Sequence, residues 1–269
     1  MTILDGKKVS NDIKNEIKAE VDKMKANDEK VPHLAAVIVG NDGASLTYVG
    51  SKVRACERVG FESTMVRMSN TTSEVELLDK IEELNNNDDI DGFIIQLPLP
   101  PQINTQKVFM AVNPDKDVDG FHPMNFGKMA LDMSTFIPAT PFGILELLER
   151  YEVETKGKHT VVIGRSHIVG RPMSILMGRK GFPGNSTVTL THSHTKNITQ
   201  ITSQADIIIS ALGVPKFLKA EMVKDDVVII DVGITRVPDD SEKGYYITGD
   251  VDFENVRKRL ALLLQFLVA

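Results

Sequence analysis

The sequence contains a single cysteine, Cys56, among its 269 residues. An internal disulfide is therefore excluded, and Cys56 lies in a helical stretch where a buried packing role is more common than nucleophilic chemistry. Basic residues are also in short supply, with 31 Lys and Arg against 37 Asp and Glu and a formal net charge of -6. This balance argues against nucleic acid as a main partner, because phosphate neutralisation needs clustered basic side chains.

Long apolar runs are missing as well. The opening MTILDGKK has no apolar core of the kind found in signal peptides. The apolar run LALLLQFLVA at residues 260–269 has ten residues, too few to span a hydrocarbon layer of about 30 Å. We therefore expect a cytoplasmic protein without a membrane partner.

Short β-branched runs alternate with amphipathic helical patterns along the chain, which predicts an α/β fold with parallel sheets. Strand signals in the first half are HLAAVIVG, STMVRM and DGFIIQLPLPP, and those in the second half are TVVIG, STVTLTH, ADIIISAL and VVIIDVG. The pattern restarts after Ala139. We predict two lobes with a cleft between them: residues 1–139, a Rossmann-like doubly wound domain at 140–255, and a segment 256–269 that packs back on the first lobe.

A tyrosine and a lysine, Tyr48 and Lys52, stand four residues apart in TYVGSK, just after a turn-like GNDGAS. On a helix this spacing places both side chains on one face, one turn apart. One interpretation is a solvated polar face, which is common for such residues. The other is a proton-transfer pair, and the dipeptide alone leaves both open.

Two further polar groups in the first half suggest a ligand site. Gln96 ends the strand FIIQ, and a polar side chain beside a strand buried on both faces suggests a partner. Asp115, Asp117 and Asp119 follow in a turn-rich loop. A metal site is disfavoured there, because no glutamate completes a calcium loop and Lys116 intervenes. A single carboxylate that accepts paired N–H groups of a ligand fits better.

The second half contains a candidate phosphate loop in GRSHIVGRP, directly after the strand TVVIG. A strand, glycines at Gly164 and Gly170, and a following helix direct backbone N–H groups at a pyrophosphate. Ser166 replaces the middle glycine of the usual pattern, so a tight turn that binds nothing remains an alternative.

The residues after the next strand bear on the choice between NAD and NADP. An enzyme that uses NAD usually carries Asp or Glu there for the ribose hydroxyls, whereas this chain has THSHT. Ser193, Thr195 and the nearby Arg165 are donors that suit a 2′-phosphate, which favours NADP. Glycine turns at Gly213 and Gly233 end the following strands, where we expect adenine and nicotinamide.

Six ordered motifs complete the pattern. They are S-x-x-Y-V-x-x-K (Ser45–Lys52), I-I-Q-L-P-L-P (Ile94–Pro100), K-D-V-D-G-F (Lys116–Phe121), F-I-P-A-T-P-F-G (Phe136–Gly143), V-V-I-G-R-S-x-I-V-G-R-P (Val161–Pro172) and G-D-V-D-F (Gly249–Phe253). Together they resemble the bifunctional methylenetetrahydrofolate dehydrogenase/methenyltetrahydrofolate cyclohydrolase family, from residue 1 to about residue 258.

The resemblance implies an enzyme of one-carbon metabolism. It would oxidise 5,10-methylenetetrahydrofolate with NADP and hydrolyse the methenyl product to 10-formyltetrahydrofolate. Residues 1–139 would be the folate-binding catalytic domain and residues 140–255 the NADP-binding domain, and the family suggests a homodimer.

The resemblance also implies a role for individual residues. Lys52 is then the central catalytic residue, with Tyr48 in the folate pocket, Gln96 supporting the lysine and Asp119 holding the pterin. Ile95 and Leu97 join these as substrate contacts. The implied cofactor contacts are Gly164, Arg165, Ser166, Ile168, Gly170, Ser193, Thr195, Gly213 and Ile234, and no metal is implied.

The resemblance is expected to fail near Arg259. Family members continue through an apolar turn, T-P-V-P-G-G-V-G-P-M-T, and a final helix, whereas this chain ends RKRLALLLQFLVA. We interpret the difference as a frameshift in the gene, the clone or the reported sequence. A natural short variant is the alternative. If the protein has this altered end, we expect impaired folate turnover.

Other functions compete with this interpretation. Short-chain dehydrogenases also use Tyr-x-x-x-Lys, but there the nucleotide loop precedes the pair, the reverse of the order of Lys52 and Gly164 here. A non-enzymatic NADP-binding protein predicts cofactor binding without folate turnover. An enzyme that keeps only one activity is a third alternative, and the presence of Lys52 favours the cyclohydrolase.

Overall fold

A computed structural model of the chain describes residues 2–241 and 244–265. The described residues form two compact α/β domains. The first contains residues 10–139, and the second combines residues 2–9 with residues 140–265 as far as they are described. The opening residues thus belong with the second domain, which the sequence patterns do not predict.

The strands and helices follow the alternation read from the sequence. The strands are β1 Thr2–Ile3, β2 His33–Val39, β3 Glu62–Met68, β4 Gly92–Ile95, β5 His159–Ile163, β6 Thr187–Thr191, β7 Ile207–Ser210, β8 Val227–Asp231, β9 Thr235–Pro238, β10 Tyr245–Thr248 and β11 Leu260–Gln265. The helices are α1 Gly6–Ala26, α2 Gly43–Val59, α3 Glu74–Asn85, α4 Thr105–Ala111, α5 Pro123–Ala130, α6 Ala139–Arg150, α7 Gly170–Gly178, α8 Ile198–Thr202 and α9 Phe253–Val256.

The first domain is built on a parallel sheet in the order β3-β2-β4. The central strand β2 is buried over its last five residues, as expected for a strand covered on both faces. The observed strand is shorter than the predicted run Asp91–Pro101: β4 ends at Ile95, before Pro98, the first proline of the run. A proline cannot donate to the ladder, so the sheet stops there.

Helix α3 shows how local sequence sets an element's bounds in the first domain. Its N-cap, Ser73, accepts a hydrogen bond from the Glu76 amide, and the Glu76 carboxylate accepts one from the Ser73 amide. This reciprocal cap satisfies N–H groups that a helix start leaves without partners. Leu77, Ile81 and Leu84 then recur on the buried face of the helix.

The second domain has a parallel sheet in the order β1-β11-β8-β7-β5-β6. Four of its strands match the predicted runs. The sequence patterns missed β1, which has two residues, and the hairpin of β9 and β10, whose strands have four residues each.

The end of the described chain requires a correction. Residues 256–269 were expected to pack on the first domain, but β11 pairs with β8 and β1 in the sheet of the second domain. The physical reason is its composition: LALLLQ is an apolar run that fits a strand flanked on both sides by parallel neighbours. Residues 266–269 of the prediction lie outside the described residues.

Candidate active site

The first candidate site is built on the start of α2. Asp42 caps this helix, and its carboxylate accepts hydrogen bonds from the Ser45 amide and the Ser45 hydroxyl, both at 2.8 Å. The cap fixes where the helix begins, so Tyr48 and Lys52 follow one turn apart on the same face. Tyr48 is 43% exposed and Lys52 is partly buried. The predicted placement of both residues on one helix is confirmed.

The carboxyl end of β4 lies beside this helix start. The Ser45 hydroxyl also lies 3.4 Å from the Leu97 carbonyl oxygen, which accepts a hydrogen bond from the Gln96 amide side chain at 2.8 Å. The Gln96 main-chain amide continues the ladder to the Val37 carbonyl. Gln96 and Leu97 are partly exposed, whereas Ile95 is buried in the core of the domain. The Ile95 side chain therefore packs inward and does not face a ligand.

The loop between α4 and α5 carries Asp119 toward Lys52. The pKa of Asp119 is raised overall: burial raises it most, the positive charge of Lys52 opposes this, and the negative charge of Asp117 raises it further. These opposing effects show that the two candidate residues act on each other electrostatically, although they lie 67 positions apart in the sequence. The fold thus places Asp119 within electrostatic range of Lys52.

A buried polar network holds this loop in place, and the sequence patterns did not single it out. The Asp117 carboxylate is buried and accepts hydrogen bonds from the His122 amide at 2.7 Å and from Asn125 Nδ2 at 2.9 Å. Asn125 Oδ1 in turn accepts a hydrogen bond from the Thr135 hydroxyl. Asp117 was considered only as a metal ligand. Its spacing from Asp119 was visible, but its burial depends on contacts that one sequence does not reveal.

Gly120, directly after Asp119, explains part of the motif K-D-V-D-G-F. Its φ is +66°, in the left-handed region where glycine is favoured. A Cβ at this position would lie 2.8 Å from the Phe136 carbonyl oxygen. The glycine therefore lets the loop turn and approach the segment F-I-P of the next motif.

The second candidate site follows β5. Gly164 has a φ of +108°, and a Cβ there would lie 2.4 Å from the Ala211 carbonyl oxygen. A Cβ on Gly170, the first residue of α7, would lie 2.0 Å from the Gly164 carbonyl oxygen. The glycines thus let the chain turn tightly from strand to helix, as predicted. The Ser166 hydroxyl accepts hydrogen bonds from the Val169 and Gly170 amides, so the residue that replaces the usual middle glycine stabilises the turn from within.

The turn presents its outer residues to solvent. Arg165, Ser166 and Ile168 are exposed, with Ile168 at 39%. They precede the N-terminus of the nine-residue helix α7, where backbone N–H groups and the helix dipole favour an anion. The close backbone approach and this helix start fit a dinucleotide pyrophosphate.

The loop after β6 also fits a cofactor. The Thr195 hydroxyl accepts a hydrogen bond from the His192 amide at 2.9 Å, which closes a tight turn. Ser193 is exposed at its tip, and this turn contains no carboxylate. Gly213 and Ile234 are exposed in the loops that follow β7 and β8, the next strands of the sheet. The cofactor candidates therefore share one edge of the sheet, at the carboxyl ends of β5 to β8.

Metal ligation finds no support in this arrangement. Within residues 2–241 and 244–265 no group of three or more His, Cys, Asp or Glu side chains could hold a metal ion. The same described residues contain no helix of sufficient length and apolar character to cross a membrane.

Comparison with protein families assigns both domains. Residues 4–119 match the tetrahydrofolate dehydrogenase/cyclohydrolase catalytic domain, and residues 138–264 match the NAD(P)-binding domain of the same family. The second match continues past Arg259 to residue 264, so the expected break in the resemblance at Arg259 is wrong as stated. Residues 260–265 of the apolar run form strand β11 of the sheet.

Individual relatives agree with the family match. The chain is 83% identical to the bifunctional protein FolD of Flavobacterium psychrophilum over 260 residues, covering 96% of this chain and 88% of the relative. It is 54% identical to that of Bacteroides thetaiotaomicron, covering 98% and 90%.

Solved structures give the same result. A bifunctional FolD dehydrogenase/cyclohydrolase from Campylobacter jejuni superposes with a TM-score of 0.93 at 41% identity, covering 99% of this chain and 92% of that one. The Trypanosoma brucei enzyme, solved with NADP and an inhibitor, has a TM-score of 0.92 at 32% identity and coverages of 99% and 91%. The chain therefore belongs to the tetrahydrofolate dehydrogenase/cyclohydrolase family, and it is a bifunctional enzyme with a catalytic domain and an NAD(P)-binding domain.

Proposed function

We propose that this enzyme oxidises 5,10-methylenetetrahydrofolate with NADP and hydrolyses the methenyl product to 10-formyltetrahydrofolate, with Lys52 as the central catalytic residue. The observation that carries the proposal is the start of α2, which places Tyr48 and Lys52 one turn apart on one helix face and contacts the end of β4 at Leu97, next to Gln96. These are the residue types that a folate ring and a one-carbon bridge require.

The oxidation step asks little acid–base chemistry of the protein. NADP, when bound, supplies the hydride acceptor, so the protein contributes binding and orientation. Tyr48, with 43% of its surface exposed, offers a ring on which a flat substrate stacks. Gln96 and the Leu97 carbonyl stand at the end of β4 beside the same helix start and orient polar groups of the substrate.

Hydrolysis needs a residue that moves protons. Water must add to an amidinium carbon, and a ring nitrogen must accept a proton before the ring opens. The Lys52 ammonium reaches a ligand from a rigid helix, and an amine can both donate and accept a proton as the substrate changes charge. Tyr48, one turn away, orients the attacking water or relays its proton.

Asp119 binds the pterin. A carboxylate accepts two parallel N–H groups, which is the pattern that an aminopyrimidinone ring presents. The Asp117–Asn125–Thr135 network anchors the loop on which Asp119 lies. Burial raises the pKa of Asp119 overall, and the neighbouring Lys52 charge opposes this effect and favours the ionised form that the role requires.

NADP is preferred over NAD through the loop after β6. An acidic residue at this point would repel a 2′-phosphate, and the turn from His192 to Thr195 has none. Ser193 and Arg165 are exposed and available as donors to a phosphate group. We also expect a homodimer in the cytoplasm, as the family resemblance implies. Light scattering of the purified chain tests the dimer.

The deciding experiment follows NADPH and the methenyl intermediate together during turnover of 5,10-methylenetetrahydrofolate. We expect NADPH to form without accumulation of the methenyl intermediate, because an enzyme with both activities hydrolyses the intermediate as it is produced. A folded chain that binds NADP but forms no NADPH would contradict the proposal and favour a cofactor-binding protein without folate turnover. Methenyl accumulation at the rate of NADPH formation would contradict the cyclohydrolase half alone.

A further inference from the structure

Two aspartates in the second domain are fully buried, and the proposed chemistry uses neither of them. Asp231 is the last residue of β8, and Asp250 lies between β10 and α9; each has an exposed fraction of 0%. A buried carboxylate destabilises a protein unless its oxygens are hydrogen-bonded. Their partners therefore indicate why the fold retains them.

Asp250 binds the loop that follows β7. Its Oδ2 accepts hydrogen bonds from the Leu212 amide at 2.7 Å and the Ser210 hydroxyl at 3.1 Å. Its Oδ1 accepts a hydrogen bond from the Val214 amide at 2.8 Å. The two amides flank Gly213, so one carboxylate fixes the backbone on both sides of the candidate cofactor contact.

Asp231 binds the segment that carries Asp250. Its Oδ1 accepts hydrogen bonds from the Asp250 amide at 2.9 Å and the Gly233 amide at 3.1 Å, and its Oδ2 accepts one from the Val251 amide at 3.1 Å. The carboxylate thus joins the loop after β8 to the chain that holds Asp250. Burial raises the pKa of Asp231 to about 6, against the lowering effect of the Asp250 and Val251 amides.

Two glycines leave room for these carboxylates. A Cβ on Gly233 would lie 2.2 Å from Asp250 Oδ1, and a Cβ on Gly249 would lie 1.9 Å from Asp231 Oδ2. Each aspartate therefore occupies the space beside the glycine of the other segment. The motifs D-V-G and G-D-V are complementary in sequence for this steric reason.

The arrangement connects two loops that border the proposed cofactor site. β7 and β8 are adjacent parallel strands, so their following loops emerge at the same edge. The Thr235 hydroxyl adds a direct bond to the Gly213 carbonyl at 3.3 Å. In the sheet order β8-β7-β5-β6 the phosphate loop follows β5 and the candidate 2′-phosphate turn follows β6. In NADP the adenine is attached to the ribose that carries the 2′-phosphate, so it belongs on the β6 side and not at the glycine turns after β7 and β8. The loops after β7 and β8 therefore lie on the side of the nicotinamide end.

We propose that Asp231 and Asp250, named here the aspartate clasp, are positioning residues that set the spacing of these two loops for the nicotinamide half of the cofactor. The inference rests on the proposed function, since it assigns the dinucleotide to this edge of the sheet. The clasp touches no reacting atom. It acts through the backbone at Gly213 and Gly233, and through the neighbouring side chain of Ile234.

The test compares two ligands on the full-length Asp250→Asn variant. NADP contains the nicotinamide half, whereas adenosine 2′,5′-bisphosphate carries only the 2′-phosphate end. An asparagine keeps one acceptor but turns an amide group toward backbone N–H donors. We expect NADP to bind at least about tenfold more weakly and kcat of the dehydrogenase to fall, because a small misplacement of a bound group is costly. Adenosine 2′,5′-bisphosphate affinity and hydrolysis of added methenyltetrahydrofolate should stay within about twofold of wild type.

Asp206→Asn is the matched control. Asp206 lies in the same domain but precedes β7, at the opposite edge of the sheet, and its carboxylate bonds the His159 amide. The control should lose stability and keep its NADP affinity. If Asp250→Asn does not fold, Ser210→Ala removes only one donor to the clasp, and we expect an intermediate loss of NADP affinity of about threefold.

The outcomes separate the two proposals. If folded Asp250→Asn bound NADP as tightly as wild type, the clasp proposal alone would be overturned. If Asp250→Asn did not fold, wild-type NADP affinity in Ser210→Ala would overturn it in the same way. Equal losses for NADP and adenosine 2′,5′-bisphosphate would also overturn it, because a general structural defect has no preference for one end. A wild-type chain that binds neither ligand would overturn the proposed function, and the clasp with it.

Discussion

The two domains fix the amino ends of their sheets with matching side chains. In the first, Asp91 precedes β4, and its carboxylate accepts hydrogen bonds from the His33 amide at 2.8 Å and from Lys30 Nζ at 2.8 Å. The His33 ring lies 2.8 Å from the Thr64 hydroxyl of the next strand. One aspartate and one histidine thus join the starts of three parallel strands.

The second domain repeats this arrangement in unrelated sequence. Asp206 precedes β7, and its carboxylate accepts a hydrogen bond from the His159 amide at 2.7 Å and pairs with Lys224. The His159 ring lies 2.9 Å from the Thr189 hydroxyl on β6. Parallel strands leave amide donors unpaired where they begin, and both domains satisfy one with an aspartate from the neighbouring strand.

The carboxyl ends of the two sheets differ, and this difference separates the two kinds of chemistry. The first domain presents side chains there or on the adjacent helix, among them Lys52 and Gln96. The second presents backbone, through the close approach of Gly164 to Gly170 and through the aspartate clasp. Amino ends are therefore alike because they serve stability. Under the proposed function, the carboxyl ends diverge because one transfers protons and the other binds a cofactor.

Loss of the lysine should have the largest effect. We expect Lys52→Met to lower the rate of methenyltetrahydrofolate hydrolysis by at least about 100-fold, the range of a lost acid–base group. NADP affinity, measured by titration, should change by less than about twofold, because the cofactor residues belong to the other domain. Arg54→Met is the control: Arg54 lies on the same helix, is exposed and should leave hydrolysis unchanged. Hydrolysis at the wild-type rate in Lys52→Met would remove Lys52 from the catalytic group.

Substitution of Gly170, the first residue of α7, should have the opposite effect to loss of Lys52: it should weaken NADP binding and spare hydrolysis. Gly170→Ala places a methyl carbon 2.0 Å from the Gly164 carbonyl oxygen, so the turn must shift. We expect NADP affinity to fall at least about tenfold while hydrolysis of added methenyltetrahydrofolate persists.

Gly178→Ala provides the comparison on the same helix. A Cβ there would lie 3.8 Å from Val188, an ordinary contact distance. This variant should bind NADP as the wild type does. Isothermal titration of both variants measures the contrast, and equal affinities would show that the close approach at Gly170 does not shape the phosphate loop.

Much of this division could be predicted from the sequence. Apolar runs and their spacing located β2 to β8, and the pairing of Tyr48 with Lys52 follows from a period of 3.6 residues per turn. Gly164 and Gly170 were identified because their spacing has a backbone reason. These features depend on neighbours in the chain.

The features that the sequence did not reveal depend on distant contacts. The strand β11 was assigned to the first domain, because an apolar run does not state which sheet it joins. Asp117 and Asp250 differ from exposed aspartates only in their burial, which comes from segments tens of residues away. Asp91 and Asp206 each stand one residue before a strand pattern, and that position is a signal that could have been used.

The pH dependence of stability should distinguish the clasp from the strand-end aspartates. Burial raises the pKa of Asp231 to about 6 in the folded protein. The folded state then binds more protons than the unfolded state between the two pKa values, so this residue's contribution to the free energy of unfolding falls as pH rises from about 4 to 6. The full destabilisation above that range is about 3 kcal/mol.

Asp231→Asn should remove this slope. Urea unfolding at several pH values gives the difference in the free energy of unfolding between wild type and variant, and hydrogen exchange of β8 assigns that difference to the second domain. We expect that difference to shift by about 3 kcal/mol in favour of the variant between pH 4 and pH 7. A difference that stays constant across this range would show that Asp231 keeps the same charge in both states.

The smallest effects should come from the two matched aspartates, and they test the comparison most directly. Burial alone would raise the pKa of Asp91, but Lys30 and the His33 amide lower it overall, and Lys224 and the His159 amide lower that of Asp206. Each therefore stabilises the fold above its unfolded pKa, and this contribution is lost as pH falls through the folded value.

Asp91→Asn and Asp206→Asn should each lower the free energy of unfolding at pH 7 by about 1 kcal/mol, since both side chains are partly exposed and the ion pairs are screened. Hydrogen exchange assigns each effect to its domain. The His33 amide should exchange faster only in Asp91→Asn, and the His159 amide only in Asp206→Asn. If only one of the two variants showed faster exchange of its own histidine amide, only that domain would depend on its strand-end aspartate. The likeness of the two amino ends would then be one of geometry without a shared contribution to stability.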